Sequence, residues 1–196
     1  MQRIEFFDEV EKIVLNEPLG EFLGSNGEHI VSYADVVKLS GHSCPTVSGA
    51  YLMSLYGLKA LYEGDTPNRG DIKVEFRNAK DDGVTGVIAN VISFITGAKQ
   101  SDGFKGLGGK FARNNLLFFG VSMTGEVRFT RIDNAKSIEM SYDISKLPLP
   151  FLDNALMQKS MTSQATSQES ELFKNQWQSR VKEILITHKD RCIVFN

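Results

Sequence analysis

The chain has 196 residues and two cysteines; its 22 Lys and Arg against 24 Asp and Glu give a formal net charge of -2. That near-balance, with no block of basic residues, argues against DNA or RNA as the main partner. No apolar run is long enough to span a bilayer, and acids interrupt the first nine residues where a secretory leader needs an apolar stretch, so a cytoplasmic protein without a membrane partner is expected.

From the N-terminus, Ile4, Phe7, Val10, Ile13 and Val14 recur at helical spacing among acids, which predicts a packing helix that ends before Pro18. Residues 28 to 31 read as a short extended segment, and Ser32 as the cap of a brief helix that delivers the chain to Gly41. Pro45 fits the first turn of a longer helix over 45–62, because its missing N–H costs nothing there. Val47, Ala50, Tyr51, Leu55, Leu58, Leu61 and Tyr62 supply its apolar face, and Leu52 and Met53 lie on the other, so this helix should be central.

Ile72, Val74 and Phe76 alternate with charges as in a half-buried strand. Val84, Val87, Ile88, Val91, Ile92 and Ile95 predict an amphipathic helix that Gly97 ends. A glycine-rich loop follows at 103–110, then extended runs near 115–121, 126–132 and 137–143, the first two joined by a turn at Thr124-Gly125 as an antiparallel hairpin or meander. Residues 158 to 168 lack bulky apolar side chains except Met161 and read as a polar linker. Thr166 and Glu169 have capping-box spacing ahead of a final helix striped with Leu172, Phe173, Trp177, Val181, Ile184 and Leu185. The division expected is therefore a core domain over 1–157, a linker over 158–168, and a C-terminal helix and tail over 169–196. That helix docks on its own core or crosses to a second subunit, the second arrangement being the expected basis of a homodimer.

The chemistry concentrates at Gly41-His42-Ser43-Cys44-Pro45. Cys44 falls at the positive end of a helix, which favours thiolate, and His42 stands two residues away. Read as a site, the pair holds a transition metal, zinc first, or a reactive thiol tuned by His42, which makes both residues catalytic candidates as well. Read as structure, Cys44 is a small buried hydrophobe and His42 a satisfied loop histidine. His29, His188 and Cys192 are the remaining residues able to complete a metal set. Two cysteines this far apart do not make a disulfide framework. The glycine-rich loop lacks the spacing of a nucleotide-binding phosphate loop, yet it can form a flexible wall of a cavity above Cys44, with Lys110 or Arg113 meeting a small anionic ligand.

With that pentapeptide, Gly49, Val74-Glu75, Thr96-Gly97 and Gly109-Lys110-Phe111 in order, residues 33 to 131 resemble the FmdE family, whose name reflects association with formylmethanofuran dehydrogenase. The resemblance implies an α+β fold with a thioredoxin-like core, a mixed β-sheet flanked by helices, and a groove whose Cys and His hold zinc, here Cys44 and His42. It also implies a role beside a redox-enzyme subunit. The family's C-terminal zinc module has no counterpart here, since no Cys-x-x-Cys pair occurs. Ser40, Thr46 and Ala98 stand where the family commonly has histidine, glycine and cysteine.

Overall fold

The computed structural model describes residues 4–196. The first three residues of the stretch read for a leader lie outside that range. The chain is α+β: a mixed five-stranded sheet flanked by helices, with a C-terminal helix and a separate two-stranded hairpin.

A 3-10 turn at Glu5–Glu9 leads to β1 (Ile13–Asn16), which pairs antiparallel with β2 (Glu28–Val31) across the short helix α1 (Pro18–Phe22). The expected helix over 4–15 is thus a turn and a strand. Its helical spacing gives way because Ile13 and Leu15 alternate inward with Val14 and Asn16 outward, the period a hairpin needs. α2 (Tyr33–Ser40) opens with a full capping box between Ser32 and Asp35, and closes on Gly41, whose φ of 76° is left-handed.

α3 (Pro45–Tyr62) is the axis of the molecule. Its members Val47, Ala50, Tyr51, Leu52 and Met53 are fully buried, so the helix is covered on all sides. Two glycines let it lie close on the sheet: a Cβ at Gly49 would fall 2.6 Å from the Tyr142 ring, and one at Gly57 would collide with Met140. On its far side the Tyr51 hydroxyl reaches the Val31 carbonyl at 3.0 Å and the Glu11 carbonyl at 2.7 Å, which fastens the hairpin.

The sheet runs in the order β4-β3-β5-β6-β7, with β3 (Ile72–Phe76) parallel to β4 (Leu117–Phe118) and antiparallel to β5 (Val127–Arg131). The meander expected of three successive runs is therefore broken, because β3 is inserted between the first and the second. β5 and β6 (Ser137–Tyr142) do form the hairpin neighbours, with Val127 opposite Met140. α4 (Thr85–Thr96) packs on α3 and ends at Gly97, as its periodicity predicts.

The expected linker is shorter than its composition suggests. Residues up to 161 belong to α5 (Asn154–Met161), capped by Asp153 and held on α6 (Ser167–Lys182), so only the turn at 162–166 separates the two helices. The capping box of Thr166 and Glu169 is present, and Val181, Ile184 and Leu185 are buried in the chain's own core. After a π-helical turn at Glu183–Thr187, the tail forms β7 (Ile193–Phe195) on the open edge of β6. Residues 169–196 thereby complete the core sheet and do not form a separate appendage. Among the described residues no helix is long and apolar enough to cross a membrane.

Candidate functional site

The corner between α2 and α3 carries the motif. Cys44 caps α3 from an extended backbone (φ -150°, ψ 167°), its sulfur accepting the Val47 N–H at 3.4 Å, with Pro45 as the first helical residue. A sulfur in that place takes one of the orphan N–H groups of the helix start. Cys44 is buried all the same.

A buried hydroxyl chain stiffens the corner. The Ser48 hydroxyl donates to the Cys44 carbonyl at 2.9 Å, so it accepts from Tyr33 at 3.0 Å, and Tyr33 in turn accepts from Ser43 at 3.0 Å. Burial pushes the Tyr33 phenol up to about 12, against the pull of Ser43 and Ser48, so it stays neutral at physiological pH. From the other end of the chain, Trp177 on α6 donates its indole N–H to the Ser43 carbonyl at 2.9 Å.

His42 is exposed. Its Nδ1 lies 2.9 Å from the Ser40 carbonyl, and a carbonyl only accepts, so Nδ1 carries the proton and Nε2 presents a lone pair. The ring lines a cavity of about 330 Å³ whose other walls include Ser40, Arg69, Asn90, Ser93 and Lys99. Cys44 is not among those walls; its electrostatic neighbours are Tyr33 and Tyr142. The two motif residues therefore share a turn and face different surroundings.

Lys110 and Arg113 come together, but at a second cavity of about 450 Å³, where Asn68, Arg69, Asp71 and Phe111 also contribute. The glycine-rich loop consequently borders this cavity and is not the expected wall above Cys44. The loop is a tight turn: Leu107 and Lys110 exchange both backbone hydrogen bonds at 2.9 Å, and Gly108 and Gly109 take φ of 54° and 79°.

Between the two cavities lies an ion triplet that the sequence does not announce. Glu17 accepts from Arg69 at 2.7 Å and from Arg113. Arg69 spends its other nitrogens on the Ile95 and Phe94 carbonyls, the orphan acceptors at the end of α4. Burial alone would raise the Glu17 carboxyl, but the two guanidinium groups outweigh it and hold the group below the usual value. His29 sits edge-on to Phe94 with a buried, unpartnered Nε2, and burial together with Arg69 lowers its affinity for a proton.

The other proposed ligands lie elsewhere. His188 is buried after the π-helical turn, with Nε2 3.8 Å from Glu183. Cys192 precedes β7, its thiol donating to the Lys189 carbonyl at 3.3 Å and pushed up to about 11 by burial. Among the described residues no group of three or more His, Cys, Asp or Glu side chains is placed to hold a metal ion. In donor type, an imidazole with a free Nε2 and a helix-capping sulfur suit zinc; in number they supply two of its four positions.

No family model matches the chain, and no curated protein does.

Proposed function

We propose that this chain is an FmdE-like metal-binding protein of the cytoplasm, accessory to a redox enzyme, that holds a transition metal, zinc first, at the Gly41–Pro45 turn. His42 is the imidazole ligand and Cys44 the thiolate ligand. The observation that carries this reading is the hydrogen bond from His42 Nδ1 to the Ser40 carbonyl, since metal-binding histidines characteristically anchor one ring nitrogen on a carbonyl or carboxylate and offer the other. The Val47 N–H on the Cys44 sulfur supports it, because it fixes a soft donor atom at the helix start. Because His42 and Cys44 face different surroundings in this structure, joint ligation requires the exposed His42 ring to turn towards the Cys44 sulfur, and the remaining positions fall to water or to an exogenous donor.

The test is elemental analysis of protein purified without a metal-affinity tag, comparing the native chain with Cys44→Ser and His42→Ala. About one equivalent of metal per chain, lost in both variants, is the expected result. Retention unchanged in Cys44→Ser would overturn the assignment.

A second reading takes the cavity without the metal, as the site of a small anionic ligand. Its support is the wall to which His42, Asn90 and Lys99 contribute, a polar set suited to an oxyanion. Anion binding that survives complete metal removal and is lost in Lys99→Ala would favour this reading over the first.

A further inference from the structure

Glu17, Arg69 and Arg113 bring two positive charges and one negative into the interior, where each side chain is largely removed from water. A single carboxylate cannot neutralise two guanidinium groups. Arg69 is satisfied by Glu17 and two helix-end carbonyls, so the donor left over belongs to Arg113. The Arg113 side chain is only 9% exposed, and its Nη1 is enclosed with no hydrogen-bond partner among the described residues. A buried cationic donor left without an acceptor is costly, and native structures seldom carry one without a reason.

The surroundings supply that reason. Arg113 lines the cavity of about 450 Å³ described above, a volume within the range of small-molecule sites. Lys110 stands at the same cavity on the tight Leu107–Lys110 turn, which fixes its backbone. Gly97 and Gly70 keep room for the guanidinium, since a Cβ at Gly97 would lie 2.6 Å from Nη1 and one at Gly70 would collide with it. Asp71, on the same wall, accepts from the Asn68 amide at 3.1 Å and keeps its negative charge, which offsets part of the positive charge around Arg113.

We propose that this cavity binds a small oxyanion, a carboxylate or phosphate group, with Lys110 as the cation at its mouth and Arg113 as the anchor, its enclosed Nη1 turning from the Gly70 and Gly97 backbone to meet the anion. The site is separate from the His42 cavity and shares only Arg69 with it. Guanidinium recognises either oxyanion through charge-assisted hydrogen bonds, and Lys110 adds the positive charge that Glu17 and Asp71 leave unmatched at this cavity. No residue of the motif corner takes part.

Titration of the full-length chain by calorimetry with inorganic phosphate, and separately with malonate, tests the site and distinguishes the two anions. Saturable binding of at least one, at one per chain, is expected, with affinity falling about tenfold or more in Lys110→Glu. Arg113→Gln should abolish it; should that variant fail to fold, the exposed Lys110→Glu still decides. No saturable binding of either anion to the native chain would overturn the proposal. So would binding that Lys110→Glu leaves unchanged, and a loss produced only by Lys99→Ala would place the anion at the His42 cavity instead.

Discussion

Trp177 and Ser43 are 134 residues apart, and the indole N–H of the first is bonded to the backbone carbonyl of the second. The C-terminal helix is thereby tied to the residue that separates His42 from Cys44. Trp177→Phe keeps most of the ring contact and deletes the donor, which should cost about 1–3 kcal/mol because the Ser43 carbonyl loses its partner. Urea unfolding measures that loss. Alkylation of Cys44 by a thiol reagent should also accelerate, since the corner opens more often; an unchanged rate would show that the latch does not guard the sulfur.

The close approach of α3 to the sheet predicts a strong effect from one methyl group. Gly49→Ala sets its Cβ into the Tyr142 ring and should destabilise by about 1–3 kcal/mol. Tyr142→Leu in the same chain should recover part of the loss, so that the two changes are non-additive in a double-mutant cycle.

Burial of the π-helical turn that continues α6 predicts that Leu185→Ala, at a position 1% exposed, costs about 2–5 kcal/mol. If the helix instead belonged to a partner's core, as a swapped homodimer would have it, the unfolding midpoint of the native protein would rise with protein concentration. The docking seen here predicts a midpoint that does not depend on concentration.

Acid sensitivity should set in early. His29 holds its proton less tightly folded than unfolded, by burial and by Arg69, so the unfolded chain binds protons first as pH falls below 6.5. Stability present above that value is lost as pH drops towards the folded-state pKa. Glu17, also depressed, adds a second loss that begins below 4.5. His29→Gln should flatten the first phase and leave the second, as followed by thermal midpoints across pH 7 to 4.

The long elements were legible because periodicity specifies them, α3 and α4 from apolar spacing and β3 from alternation, while the Ser32 cap and the Thr166–Glu169 capping box show in local sequence. β1 was not, since Val10, Ile13 and Val14 fit a helical stripe until pairing with β2 selects the alternate register. β7 is three residues long, too short to show any period, and exists because β6 offers an open edge. α5 buries only Leu156 and looks like a linker until α6 lies against it.

At the corner, Pro45 disclosed the capping role of Cys44, whereas the proton on His42 Nδ1 depended on where the Ser40 carbonyl points. The ion triplet was invisible for a plainer reason. Glu17 meets Arg69 across 52 residues and Arg113 across 96, and no local pattern links positions so far apart. Of that set, only Arg113 drew notice, through its neighbouring glycines.

The place of β7 also bears on how the molecule is made. During synthesis the sheet can assemble from β3 to β6 while residues 193–195 are still inside the ribosome, and β6 then presents a bare edge to any passing strand. Some 50 residues lie between β6 and β7, so the interval is filled by the emergence of α5 and α6. Nascent chains halted in that interval should be the ones that chaperones hold and that aggregate when chaperones are scarce.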